Sequence, residues 1–294
     1  MRMFTIIMIF NEYFLKCHDI VNTGDYPSMH TPDTLSLKPS CSRCKEEEPL
    51  GFEFTFAFQP IVHAGERRVV AYEALVRGPQ GEPASSILEQ LNDANRYRFD
   101  QNCRIKAVQL AAKLGMSCDL NINFFPNAVY QPEQCIRTTL WAAEKYGFPI
   151  SQIVFEVTEG EKIQDHEHLR RIIDYYQKLG FRTAIDDFGA GYAGLNLLAN
   201  YLPDYIKLDR ELIIDIDRHA RRQAIVHGIQ LTCRELNIGI LAEGVETLAE
   251  YRWLRRQGID LFQGYWFAKP GFETLPEVPD ECYITSAHSA ERSE

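Results

Sequence analysis

Residues 169–187, LRRIIDYYQKLGFRTAIDD, hold one complete structural unit. Leu169, Ile172, Ile173, Tyr176 and Leu179 recur at helical spacing and share one face. Gly180 follows where a helix end favours a left-handed residue. The apolar run Phe181–Ile185 then reads as a short buried strand, and it ends on two adjacent acids, Asp186 and Asp187.

The same order recurs outward from this unit. Gly115, Gly147 and Gly258 stop other helical patterns, Asn237 stops one more, and the first glycines recur at the spacing of one βαβ unit. Before Gly115, the residues Cys103, Ala107, Leu110, Ala111 and Leu114 share a face. Thr247-Leu248-Ala249-Glu250 has capping-box spacing. Eight strands are expected, at Phe54–Val62, Val69–Val76, Cys118–Asn123, Ile153–Val157, Phe181–Ile185, Tyr205–Leu208, Gly239–Ala242 and Leu261–Gln263. A short glycine-containing turn at His63–Arg68 makes the first two an antiparallel hairpin, while alternation with helices makes the others parallel. The expected fold is α/β: a modified TIM-type (β/α)8 barrel with an antiparallel first strand, over residues 51–275. Residues 1–50 read as an irregular N-terminal extension interrupted by Pro27, Pro32 and Pro39, with Met29 an alternative start. Residues 276–294 read as a polar C-terminal tail, fraying from about Phe272.

The chain of 294 residues is 45% hydrophobic and 24% charged, which excludes a fibrous or largely disordered protein. Its formal net charge of −10 excludes the broad basic surface of a nucleic-acid polymer binder or an anionic-membrane binder. The apolar run Met3–Phe10 is too short to span a bilayer. The scattered cysteines read as reduced thiols of a cytoplasmic protein.

Polar residues gather at the strand ends, where barrel proteins build their sites. Glu73 interrupts Val69–Val76; Asn121 and Asn123 alternate and so share a face. Glu156, Asp186-Asp187, Lys207, Glu243 and Gln263 follow on later strands. Charges in apolar strands are costly unless paired or bound to metal. Carboxylates converging on one mouth repel each other and call for cations, and all-oxygen donors favour Mg²⁺ or Mn²⁺ over Zn²⁺. Asp186 and Asp187 together can serve two ions, a common arrangement for in-line attack on a phosphodiester.

Glu73-Ala74-Leu75-Val76-Arg77-Gly78 resembles the signature of the EAL family of cyclic di-GMP phosphodiesterases. Gln59-Pro60-Ile61, Asn123, Glu156-Val157-Thr158-Glu159, the run Asp186 to Tyr192 (DDFGAGY), Lys207-Leu208-Asp209, Glu243-Gly244-Val245-Glu246-Thr247 and Gln263-Gly264-Tyr265 continue the resemblance in order over about residues 52–272. The resemblance implies metal-dependent hydrolysis of cyclic di-GMP to linear pGpG, with two Mg²⁺ or Mn²⁺ ions per site, inhibition by Ca²⁺, a homodimer, and an output in biofilm or motility behaviour. It implies Glu73, Asn123, Glu156 and Asp186 as ligands of the first ion, and Asp186 and Asp187 of the second. Lys207 resembles the catalytic lysine and Glu243 a general base working through water; Gln59, Arg77, Gln263 and Glu246 resemble substrate-pocket residues. Glu159, Phe188, Gly189 and Gly191 resemble the loop that couples site and dimer. A non-catalytic cyclic di-GMP receptor or interaction module on the same fold is the alternative. The run Asn121 to Tyr130 looks most like EAL domains fused to light-sensing BLUF domains, and fifty N-terminal residues are too few for such a sensor.

Three signals lie beside this reading. Cys41-Ser42-Arg43-Cys44 offers half a structural zinc site, a redox pair, or two incidental cysteines. Asp209 either steadies the Lys207 ammonium or caps a helix. His166, His168 and the stretch Arg218 to Arg222 read as solvated surface.

Overall fold

The computed structural model describes residues 50–158, 165–190 and 194–284. Cys41, Cys44, Glu159 and Gly191, with the expected zinc or redox site at the cysteine pair, lie outside the described residues.

Strands β1 (Thr55–His63), β2 (Arg68–Arg77), β3 (Asp119–Asn123), β4 (Ile153–Thr158), β5 (Arg182–Phe188), β6 (Tyr205–Leu208), β7 (Gly239–Ala242) and β8 (Leu261–Phe262) close into a barrel, and β9 (Gly271–Phe272) adds to β1. The helices are α1 (Ala84–Leu88), α2 (Arg96–Lys113), α3 (Pro132–Cys135), α4 (Arg137–Tyr146), α5 (His166–Lys178), α6 (Gly194–Asn200), α7 (Arg210–Ile213), α8 (Ala220–Leu236) and α9 (Leu248–Arg256). β1 runs antiparallel to β2 and to β8, and β2 through β8 are mutually parallel. This is the modified TIM barrel expected from the sequence. No described helix is long and apolar enough to cross a membrane.

The helix stops work as their chemistry requires. Gly115, Gly147, Gly180, Gly258 and Asn237 all take positive φ. After each, an apolar residue donates its N–H back five residues, as in Met116 to Ala111, Phe148 to Ala143, Phe181 to Tyr176, Ile238 to Cys233 and Ile259 to Leu254. Those five apolar residues are buried, so each helix end is stapled to the core just before the chain turns toward the next strand. Thr247 and Glu250 form the expected capping box at the start of α9.

Strand alternation splits the core in two. Outward residues such as Tyr72, Leu120, Ile122, Phe155, Ile185 and Ile206 join a continuous layer beneath the helices. Inward residues Ile61, Ala71 and Leu241 form a small plug, with Val70, Tyr205 and Leu261 packed on it. Along each strand the inward residue two steps on, toward the C-terminal ends of the parallel strands, is polar: Glu73 beyond Ala71, Lys207 beyond Tyr205, Glu243 beyond Leu241 and Gln263 beyond Leu261. The site is therefore floored by an apolar plug.

The structure corrects the expected C-terminal boundary. The chain does not fray from Phe272 or leave the barrel at 275. Phe272 pairs with Ala57 in the sheet, and the segment beyond it docks on the barrel. Tyr72 donates to the Pro276 carbonyl (2.9 Å), Tyr251 to the Tyr283 carbonyl (3.1 Å) and the Trp266 indole to the Cys282 carbonyl (3.0 Å). Tyr283 itself is buried against Phe267. A chain ending at Leu275 loses these hydrogen bonds and that burial, together worth several kcal/mol on the order of 1 per bond and 2 for the ring. Its thermal midpoint is expected to fall by about 5 °C or more; an unchanged midpoint by calorimetry would make the docked segment dispensable.

Candidate active site

The site is built around one ammonium. Lys207 on β6 is wholly buried, and its Nζ lies 3.1 Å from Glu73 Oε2, 3.1 Å from Glu156 Oε2, 2.9 Å from Asp186 Oδ1 and 3.4 Å from Glu243 Oε2. These groups come from β2, β4, β5 and the turn just after β7, and they meet because each occupies an inward position toward the same end of the barrel. Asn123 Nδ2 donates to Glu73 Oε1 (2.8 Å), and Gln263 Nε2 donates to Glu73 Oε2 (2.8 Å).

Adjacent residues of a regular strand face opposite ways, so Asp186 and Asp187 need a device to reach one site. β5 supplies it. Its register against β6 shifts between Ile185 and Phe188, and Asp187 adopts φ 54°. A bulge with a left-handed residue swings the second acid toward the first. Beyond it, Gly189 has φ 102°, and a Cβ there would lie 2.4 Å from Leu212 Cδ1. Phe188 is buried, and its carbonyl accepts from Asp209 N (3.2 Å), tying the end of β5 to the exit of β6.

Two sets of carboxylates have oxygens within 4.8 Å of one another: Glu73, Glu156 and Asp186, and Asp186, Asp187 and Glu243. Asp186 belongs to both. Ionised, these acids outweigh the single Lys207 charge, and like charges so close resist ionisation. Burial pushes Glu243 up to about 8; Lys207 pulls against this, while Asp186, Glu73 and Asp187 add to it. Asp187 is pushed up to about 6 by burial and by Asp186. Complete burial holds Glu156 well above the ordinary carboxylate range. Burial pulls Lys207 down, but its carboxylate neighbours outweigh that and keep it firmly charged. The donors are all oxygen, and the set carries surplus negative charge around shared Asp186. That chemistry fits a pair of hard divalent cations.

The remaining expected residues divide. Gln59 is buried beside the cluster and donates to the Ala268 carbonyl (3.3 Å). Arg77 lies at the rim, half-buried, with Nη1 on the Val76 carbonyl (2.7 Å). Gln263 touches Glu73 directly, and its Oε1 is buried without a hydrogen-bond partner. Glu246 is not brought into the carboxylate cluster: it is exposed and pairs with Arg210 (2.9 Å), whose other nitrogen holds the Gly244 carbonyl. Asp209 caps α7 through Glu211 N (2.8 Å), the second of its two readings. His168 departs from a solvated reading, since its ring meets the Val129 carbonyl.

Two residues that the sequence placed among the strand-end polar residues and the motifs, without assigning them a role, gain one here. Asn121, wholly buried, donates from Nδ2 to Glu156 Oε1 (2.5 Å) and meets the Tyr205 hydroxyl, leaving its Oδ1 without a partner. The available signal was position: Asn121 stands two residues before Asn123, and Tyr205 two before Lys207. Gly264 also matters, at φ 155°, because a Cβ there would lie 2.1 Å from the Val245 carbonyl oxygen. This contact draws the segment after Gln263 against the loop after Glu243.

The EAL domain family model matches residues 48–270. A standalone EAL protein from Vibrio cholerae O395, solved with c-di-GMP bound, is 53% identical with a TM-score of 0.78, over 80% of this chain and 100% of that one. BlrP1 of Klebsiella pneumoniae, solved with manganese and cyclic di-GMP at pH 6, is 38% identical with a TM-score of 0.73, over 78% of this chain and 58% of that one. The blue light- and temperature-regulated antirepressor BluF of Escherichia coli K12 is 34% identical over 224 residues, 76% of this chain and 56% of that protein. The chain spans about half the length of the curated relatives it matches.

A pH dependence follows from the raised carboxyls. Protons on Glu243 and Asp187 compete with cations, so Mn²⁺ affinity should rise between pH 6 and 8 by up to about tenfold per unit. In the metal-free protein, the raised Glu243 stabilises the fold below its ordinary value of 4.5, and that contribution is lost as pH rises through about 8. The thermal shift on adding Mn²⁺ should therefore be larger at pH 8.5 than at pH 6. An equal shift at both would mean that no proton is displaced.

Proposed function

The chain belongs to the EAL domain family, and on that premise we propose that it hydrolyses cyclic di-GMP to linear pGpG with Mg²⁺ or Mn²⁺. The observation that carries the reading is the intact, doubly grouped carboxylate set around buried Lys207. A degenerate member would lack one of these residues.

Glu73, Asn123, Glu156 and Asp186 would hold one cation, and Asp186 with Asp187 a second. When bound, the cations supply charge neutralisation for the phosphodiester and acidify a water nucleophile. Lys207 orients that water and steadies the negative charge developing on the phosphoryl oxygens. Glu243 is less buried than the other carboxylates touching Lys207 and is placed to take the water's proton. The water oxygen bonds to phosphorus, the bond to the ribose 3′ oxygen breaks, and a proton passes to that oxygen. Arg77 at the rim offers a planar guanidinium to a phosphate, and Gln59 and Gln263 offer amides to the dinucleotide. Glu246, held by Arg210, lines the mouth in this reading. The protein acts in the cytoplasm as a homodimer, with the segment at Phe188 and Gly189 linking site and partner.

A second reading rests on BluF, a relative whose name is that of an antirepressor. In that reading the chain binds cyclic di-GMP and a protein partner without turnover.

Incubation of the folded protein with cyclic di-GMP and Mg²⁺ or Mn²⁺, followed by chromatography, separates the two. The expected result is pGpG, abolished by Ca²⁺, with Glu73→Ala and Lys207→Ala each lowering turnover at least about 100-fold. Binding without product under either cation would favour the receptor reading.

A further inference from the structure

Behind the site lies a second buried charge that the proposed chemistry does not use. Arg104 on α2 is wholly buried and is among the largest such side chains. Its Nη2 meets Asp100, one helical turn earlier and equally buried, at 2.7 Å. Its Nη1 donates to the Tyr176 hydroxyl on α5 (2.9 Å). The guanidinium carbon sits 5.4 Å from the Phe124 ring centroid, 5.1 Å from Phe155 and 5.8 Å from Tyr176; Nε has no hydrogen-bond partner, and Nη2 meets Asp100 as an ion pair outside hydrogen-bond geometry. The charge is thus enclosed in an aromatic cage.

The cage residues are the outward neighbours of site residues. Phe124 follows Asn123, and Phe155 precedes Glu156. Asp100 Oδ1 accepts from Phe125 N (2.9 Å), and Phe124 N donates to the Glu156 carbonyl (3.1 Å). One ion pair therefore grips the backbone just beyond Asn123 and, through the edge-to-face rings of Phe124 and Phe155, the backbone beside Glu156. A buried ion pair contributes little to stability compared with apolar residues of the same shape. Its planar donor set and fixed direction contribute geometry instead.

We propose that Arg104 and Asp100 form a positioning pair that holds the ends of β3 and β4, so that Asn123 and Glu156 keep the spacing a divalent cation requires. The proposal rests on the metal-dependent reading of the site.

The test uses the full chain, Mn²⁺ titration calorimetry, and amide hydrogen exchange of the metal-free protein. In the double variant Asp100→Leu/Arg104→Met, which leaves no unpaired charge but removes the partners of Phe125 N and the Tyr176 hydroxyl, the protein should still fold, with a thermal midpoint lowered by no more than a few degrees. Mn²⁺ affinity should nevertheless weaken about tenfold, and the amides of Phe124 and Phe125 should exchange faster. Arg104→Lys, which keeps the charge without the planar fork, should also fail to restore full affinity. The proposal is overturned if either variant binds Mn²⁺ within twofold of the parent, or if the double variant fails to fold, which would make the pair a stability element. If the parent itself binds no Mn²⁺, the metal-dependent reading fails, and unchanged exchange at Phe124 and Phe125 in the double variant would separately remove the positioning role.

Discussion

One buried ammonium, that of Lys207, holds four carboxylates together that would otherwise repel one another. Everything else in the site follows from the imbalance it leaves. A single positive charge cannot neutralise Glu73, Glu156, Asp186 and Glu243, with Asp187 beside them, in a largely buried pocket whose acids are poorly hydrated. In the metal-free protein, protons make up part of the difference, as the raised Glu243 and Asp187 carboxyls show. Cations are the other way to make it up, and a phosphodiester arriving with its own negative charge favours them. The overall charge of −10 is thus no obstacle to a phosphate ligand, because part of it is concentrated where cations would sit.

The barrel delivers this arrangement through two simple rules. Strand alternation sends every second residue inward, so an apolar plug at Ile61, Ala71 and Leu241 lies directly below the acids, amides and lysine. Where alternation would misplace a residue, the backbone departs from it. The bulge at Asp186 and Asp187 puts neighbouring acids on one site, and Gly264 lets the segment after Gln263 close on Val245. The helix ends use the same economy, with each left-handed stop residue followed by a buried anchor.

Much of this was readable before any coordinates. The eight barrel strands, the glycine stops and the capping box at Thr247 and Glu250 are local patterns, and local patterns carry their own physics. What escaped depends on distant partners. Gly271 and Phe272 become a strand only because β1 presents an edge to them, and the proline-rich segment after them docks through its backbone carbonyls, which no side-chain pattern advertises. Asp100 and Arg104 have the i, i+4 spacing of an exposed helix pair, and their burial depends on the rings of Phe124, Phe155 and Tyr176. Glu246 stands next to the site in sequence but is drawn away by Arg210 of α7, the helix after β6.

The central claim is that this surplus of buried carboxylate is a seat for two cations sharing Asp186. Anomalous diffraction from crystals grown with Mn²⁺ addresses it most directly. The account predicts two peaks, one among Glu73, Glu156 and Asp186 and one among Asp186, Asp187 and Glu243. Crystals grown at pH 8 or above in saturating Mn²⁺ that show no peak at either place, with the carboxylates still gathered on Lys207, would contradict it.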